Sequence, residues 1–213
     1  MKRVCLLMTL VCMMLVSFKP DGSDVKHEGH EYVDLGLSVK WATCNVGATS
    51  PEEYGDYFAW GETTTKSNYS RSNCPTYGLS ISQLQSRGYI DSEGNLTSQY
   101  DAATANWGGD WRMPTKAELQ ELKDKCTWTW TIQNGVRGYN VKGPNGNSIF
   151  LRCAGRRDES SLDDAGKYAN FWSSTSGVND RGLFAYDLYF GGGKLGVEQT
   201  SRYVGRSVRP VVE

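Results

Sequence analysis

The chain has 213 residues, among them 24 glycines, 12 tyrosines and 7 tryptophans but only 6 prolines. That length fits one domain with a short appendage and a real hydrophobic core. A net charge of −1, with acids and bases interspersed, gives no electrostatic footprint for nucleic acid and no basic patch for a membrane surface.

Met1-Lys2-Arg3 is cationic, and Val4 to Phe18 is a nearly unbroken apolar run. At about 15 residues the run is short for a membrane span and typical of a secretory segment. Residues 1–18 are therefore expected to be a signal peptide or an uncleaved anchor. The mature protein is expected to be secreted or held at the cell envelope. A membrane is a partner only through this segment, if it is kept or lipidated at Cys12. Residues 19–31 (KPDGSDVKHEGHE) are polar and read as a linker. His27 and His30 stand three apart beside Gly29, not at the i, i+4 helical spacing of a metal-binding pair, so no metal is expected. Cys5 and Cys12 belong to the signal. Cys44, Cys74, Cys126 and Cys153 remain, which in an oxidising compartment permit two disulfides in three connectivities. Without a Cys-x-x-Cys pair there is little support for zinc, and no pairing is assigned.

The domain is expected to start at Tyr32. In Ser38–Val46, Val39, Trp41 and Thr43 alternate with polar or small residues, the pattern of a half-buried strand. Ser50-Pro51-Glu52-Glu53 opens like a helix, but Gly55 ends it within a turn. Tyr57-Phe58-Ala59-Trp60 is a short apolar stretch. From Glu62 to Ser98 the composition shifts to Ser, Thr, Asn and Gly. This predicts a long insertion, functional or mobile, with a turn of helix near Ile81–Ser86. Asn68-Tyr69-Ser70 and Asn95-Leu96-Thr97 match glycosylation tripeptides. Tyr100–Asn106 reads as a short helix.

Trp107–Leu122 (WGGDWRMPTKAELQEL) is the most strongly specified stretch. A Gly-Gly turn separates Trp107 from Trp111. Pro114 holds Met113 extended, where its missing N–H costs nothing. Thr115 and Glu118 have the spacing of a capping box, and Leu119, Leu122 and Cys126 follow as one apolar stripe. Structural roles are expected for Trp41, Trp60, Trp107, Trp111, Pro114, Thr115, Glu118, Trp128 and Trp130. Arg112 is expected to hold a loop or a carboxylate.

Beyond the helix the period becomes two. Cys126–Thr131 places Trp128 and Trp130 on one face of a strand and threonines on the other. Gly138–Lys142 and Asn147–Leu151 flank an Asn145-Gly146 hairpin turn. Arg152–Lys167 reads as a polar loop. Phe171–Ser173, Phe184–Phe190, Lys194–Gln199 and Gly205–Val212 read as four short strands. Phe184, Tyr186, Leu188 and Phe190 share one face, with Ala185, Asp187 and Tyr189 on the other. The expected class is α+β, two helices packed on short antiparallel strands with long loops.

Leu35–Ala42, Tyr57–Glu62, Trp107–Glu118, Cys126–Thr131, Asn145–Leu151, Trp172-Ser173-Ser174 and Ser207–Val211 occur in an order that resembles the Fibrobacter succinogenes major paralogous domain family of exported bacterial proteins. The resemblance covers residues 32–213. It implies a C-type lectin-like fold, distantly related to formylglycine-generating enzyme domains. Where the family pattern has a Leu-Pro-Ala-Ala-Gly-Tyr-Arg-like stretch, this chain has Leu151–Arg157, so Cys153 resembles a substitution. The sugar-binding calcium motifs of that fold, Glu-Pro-Asn or Gln-Pro-Asp followed by Trp-Asn-Asp, do not occur. No cofactor is expected; calcium has no motif here, although hard cations can take oxygens from scattered loops. The copper-type cysteine pair of the related enzymes is also missing.

With no histidine after residue 31, Ser-His-Asp and Cys-His catalysis have no base in the domain. The acidic pair Asp163-Asp164 lies in a polar stretch, where solvation is the ordinary role. The expectation is a non-catalytic, surface-exposed binding or adhesion module for a glycan or protein ligand. Its candidate residues are Trp172, Asp187, Tyr189, Lys194, Glu198, Gln199, Arg202, Tyr203 and Arg206, which combine rigid aromatic area with charged hydrogen-bonding groups. The alternative is a structural or assembly component of a cell-surface complex. The tail also resembles the segment that retroelement-driven mutagenesis diversifies in some lectin-like ligand-binding proteins.

Overall fold

The computed structural model describes residues 25–178 and 181–213. The expected signal, residues 1–18, and residues 19–24 of the expected linker lie outside the described residues. Within them the chain is a sheet-rich α+β domain with three short helices and several antiparallel sheets.

Pairing begins before Tyr32. Strands β1 (Val25–His27) and β2 (His30–Val33) form a hairpin, joined by β3 (Lys40–Ala42) and closed by the C-terminal strand β12 (Val211–Val212). The described end of the expected linker is therefore part of a sheet. The cause is long-range: the hairpin packs on the Gly-Gly turn. Trp111 donates its indole N–H to the His27 carbonyl at 3.0 Å. The His30 ring stacks on Trp107, with centroids 3.7 Å apart, and burial lowers its pKa. Gly109 has φ +56°, and a Cβ there would meet Glu28 Cγ at 2.6 Å. Only glycine gives both the turn and the close approach.

The helices follow their caps. α1 (Ile81–Ser86) starts at Ser80, whose hydroxyl accepts from the Gln83 amide. α2 (Ala102–Trp107) starts at Asp101, which accepts from Ala103 and Thr104. α3 (Lys116–Lys125) starts at Thr115 with the expected capping box. Ser50–Glu53 makes only a turn, closed by Glu53 accepting from the Thr49 amide at 2.7 Å.

The 62–98 insertion is packed, not structureless. The Tyr69 hydroxyl donates to the Tyr57 carbonyl at 2.6 Å and Thr76 donates to Trp60 at 2.7 Å. Leu84, Ile90 and Leu96 join Phe58, Trp60, Met113, Trp172 and Val208 in one core. A few apolar residues spaced far apart suffice, because polar side chains tie the intervening backbone.

Two three-stranded antiparallel sheets complete the domain. One runs β4 (Thr127–Gln133), β5 (Val136–Lys142), β6 (Ser148–Arg152). The other runs β9 (Tyr168–Ser176), β10 (Phe184–Gly191), β11 (Lys194–Ser201), with β10 in the middle. The stretch between them, expected as a loop, carries a small hairpin of β7 (Arg156–Asp158) and β8 (Ser161–Asp163). α3 lies between the sheets. Its Leu119 and Leu122 are fully buried among Trp41, Val141, Ile149, Leu151, Phe171, Leu188 and Phe190. Cys126 ends the helix, half-buried beside this core. The four cysteines of the domain are free thiols, and burial pushes those of Cys126 and Cys153 up to about 11.

Candidate ligand-binding face

The register of the β9–β10–β11 sheet sorts its side chains into two sets. Phe171 pairs with Leu188, which pairs with Val197, and these line the core beside α3. Trp172 pairs with Asp187, which pairs with Glu198; Asn170 pairs with Tyr189, which pairs with Gly196; and Tyr168 pairs with Gly191, which pairs with Lys194. Residues directly opposite share a face, so these eight plus Gly191 form the second face.

That face has a closed end and an open end. At the closed end the Trp172 indole donates to the Phe58 carbonyl at 2.7 Å. The Arg206 guanidinium lies 5.0 Å above the Trp172 ring and pairs with Asp187 at 2.9 Å. Asn170 donates to the same Asp187 oxygen at 2.8 Å, and Arg206 also donates to the Thr200 hydroxyl. Trp172, Asp187 and Arg206 are all buried. Burial pushes the Asp187 carboxyl up, and the Arg206 charge and the Asn170 amide oppose it. Arginine keeps its charge in a protein, so the carboxylate is held as its counter-ion. Asn170 Oδ1 and Arg206 Nε are buried without a hydrogen-bond partner.

At the open end the rings of Tyr168 and Tyr189 stack at 5.6 Å with planes 18° apart. Gly196 stands opposite Tyr189 on β11, and the Glu198 carboxylate lies over that glycine, with Oε1 3.0 Å from where a Cβ would stand. Glu198 and Lys194 are exposed beside the phenol. Arg156 and Asp164, paired at 3.1 Å, carry charge at its other side. The Tyr189 phenol is raised by burial first and then by Tyr168, Asp164 and Glu198.

Of the nine candidate residues from the sequence, Trp172, Asp187, Tyr189, Lys194, Glu198 and Arg206 share this face. Three of those six are interior, and they support the platform from below. Gln199 lies on the opposite face beside Tyr186, where it accepts from the Val178 amide at 3.1 Å. Arg202 is a buried tether. It donates to the carbonyls of Thr76, Leu79 and Phe184 and to the Ser176 hydroxyl, and it lies 4.8 Å over Trp60. Burial pushes its pKa down to about 10. Tyr203 packs edge-on to Tyr77 at 5.5 Å, beneath Arg71. Tyr168, Asn170, Arg156 and Thr200 were not singled out by sequence, and Asp164 was read only as half of a solvated acidic pair. The alternation Tyr168, Asn170, Trp172 carries the signal, but it starts ahead of the Phe171 strand boundary expected from the apolar run.

The residues given structural roles lie mostly in the interior. Trp41, Trp60 and Trp111 are buried, and Trp107 is half-buried against His30. The Pro114 carbonyl accepts from the Ser174 amide at 2.8 Å. Arg112 grips both oxygens of Glu118, at 2.8 and 2.7 Å, so the capping carboxylate serves two partners. Trp128 packs on Phe190, centroids 5.5 Å apart. Trp130 differs: it touches Tyr139 but is 45% exposed.

Two cavities, about 410 and 430 Å3, flank the Asp91–Asn95 loop. The first holds Asp91, Glu93, Asp101, Asp110 and Arg112. Most of these groups are already engaged: Asp101 by three backbone amides, Asp91 by Glu93 and Asn95, and Arg112 by Glu118. Its acids thus shape the loop and cap α2. The second takes its apolar lining from Ile81, Val178 and Tyr186, with Lys116 over the Tyr186 ring at 4.1 Å. Among the described residues no cluster of three or more His, Cys, Asp or Glu could hold a metal ion. No helix there is long and apolar enough to cross a membrane. Compared with protein-family profiles, characterised proteins and solved structures, the chain has no match.

Proposed function

We propose that the protein is an exported, non-catalytic binding domain of C-type lectin-like fold, displayed at the cell surface, that holds a glycan on the open end of the β9–β10–β11 face. The observation that carries this reading is the Tyr168–Tyr189 stack, flanked by Glu198, Lys194 and the Arg156–Asp164 pair. Aromatic faces give contact area at low entropic cost, and carboxylates and guanidinium groups supply fixed acceptors and donors for hydroxyls. The buried Asp187–Arg206–Asn170 cluster beneath holds β9, β10 and the C-terminal chain together, so the platform is organised before a ligand arrives. The order of motifs resembling the major paralogous domain family supports the fold, and the apolar run behind Met1-Lys2-Arg3 supports the export.

A glycan array probed with the full chain tests the reading. Binding of at least one saccharide class is expected, with loss of about tenfold or more in affinity on Tyr189→Ala or Glu198→Gln, a change of roughly 1.4 kcal/mol. Arg71→Ala, away from the face, should bind as the native chain does. An array without signal, or binding indifferent to Tyr189 and Glu198, would sink it.

A further inference from the structure

Every sheet edge leaves a row of unpaired N–H and C=O groups, and proteins ordinarily blunt or cover it. Most edges here are handled that way. β9 is bridged on its outer side by Gly155, Ser207 and Asn95. The β6 carbonyl of Phe150 takes a hydrogen bond from Arg209 at 3.2 Å. β11 carries Lys194 and Glu198 and breaks its pattern at Gly196.

β4 is handled in none of these ways. Its sequence, Thr-Trp-Thr-Trp-Thr-Ile-Gln, contains no charge, proline or glycine. It pairs with β5 over seven consecutive residues without a register shift, so no bulge twists it away. It is the outer strand of its sheet, and no other backbone hydrogen bond among the described residues involves Thr127–Gln133. Trp130 and Ile132, 45% and 62% exposed, are two of the three exposed large apolar side chains of the described residues. They extend the apolar face of Trp128 outward from the core.

We infer that β4 is a self-association edge, on which a second copy of this chain adds its own β4 antiparallel, about a two-fold axis at Trp130. That register pairs all seven residues. Trp130 then faces Trp130, Trp128 faces Ile132, and Thr129 faces Thr131, so apolar side chains meet on one side and threonines on the other. Aromatic, aromatic–β-branched and Thr–Thr pairs are the favourable cross-strand combinations. The charges also fit a second copy. Glu52 is held at the Gln133 end by Gln133 and Asn134, at 2.8 and 2.7 Å. The register puts that end in one row with Thr127 of the second copy and the exposed Lys142 that pairs with it. Glu52 of one copy and Lys142 of the other thus stand at the same end of one row, two strands apart, at both ends of the seam, and none of the seven paired residues carries a charge. The interface is isologous and closed, which stops at a dimer.

Sedimentation of the full chain across a concentration series tests this. The native chain is expected to move from monomer to dimer as concentration rises. Trp130→Lys and Trp130→Glu should each lose the dimer, because like charges then meet at the axis, and an equimolar mixture of the two should recover it. Thr129→Lys, on the solvent side of the strand, should also lose the dimer, and it serves if circular dichroism shows either Trp130 variant unfolded. A native chain that stays monomeric at every concentration overturns the inference. So does a dimer that persists undiminished in the folded variants, which would place the contact elsewhere in the chain.

Discussion

The two three-stranded sheets use the same antiparallel meander for opposite purposes. β10 sits in the middle of its sheet with core on both sides, and all but Phe184 and Tyr189 of its residues are buried. β4 sits at the edge of the other, with Thr127, Thr129, Trp130 and Ile132 exposed. A strand buried on both faces can carry a charged residue only if a partner comes with it, which Arg206 does for Asp187. A strand at an edge can be wholly uncharged, and then its outer side is open to another strand. Burial thus makes the polar residue of β10 indispensable, whereas exposure makes the apolar residues of β4 available.

Breaking the buried pair should have the largest effect. Asp187→Ala leaves Arg206 interior without a counter-ion and is expected to cost about 3–5 kcal/mol by urea unfolding. Replacing both partners, Asp187→Leu with Arg206→Met, should recover most of that loss, because two apolar side chains of similar length leave no orphaned charge. A double variant no more stable than the single would mean that the pair matters for geometry rather than for charge.

A middle effect is expected at α3, which braces both sheets. Burial alone would push the Glu118 carboxyl up, but the hydrogen bonds from Arg112 and the Thr115 amide outweigh it and leave it below the usual range. A carboxyl lowered in the folded state contributes in full above its unfolded value, about 4.3. The contribution fades as the pH falls through the lower folded value. Glu118→Gln should cost about 1 kcal/mol at neutral pH, in line with a lost cap, and the loss should shrink in acid. A difference from the native chain that does not change with pH would mean that Glu118 acts through shape alone.

The smallest effect on stability belongs to the β4 edge. Ile132→Thr should change the unfolding free energy by no more than about 0.5 kcal/mol, as for surface sites, while weakening dimerisation in the sedimentation series. A larger loss of stability would show that Ile132 supports the sheet from within.

Much of the framework was legible from local chemistry. Thr115–Glu118 is a self-contained cap. Thr127–Thr131 alternates with period two, and Asn145-Gly146 sets its own hairpin. Each signal spans a few residues, so no distant contact is needed to read it. The β1–β2 hairpin and the small β7–β8 hairpin were hidden, because polar strands carry no apolar period. The candidate site was half legible. Tyr189, Lys194 and Glu198 stand where their polarity suggests, but Trp172, Asp187, Arg202 and Arg206 have the same composition and lie inside. A charge reads as exposed until its partner is known, and those partners come from Asn170, Thr76, Leu79 and Thr200, on other strands or in the insertion.

By itself, then, the sequence determined the helix starts, the hairpin turn, the alternation of the strands and the apolar stripe of α3, because short-range sterics and hydrogen bonding settle these. Only the tertiary structure decided which charged residues were buried and which rings were left uncovered. Those outcomes depend on the register of β9, β10 and β11, where one step of slip exchanges the two faces, and on groups brought from distant segments, such as the Phe58 carbonyl to Trp172 and Arg206 to Asp187. The β9–β10 register stacks Tyr168 on Tyr189 at an open surface, and the strand order β4–β5–β6 leaves the β4 edge unpaired.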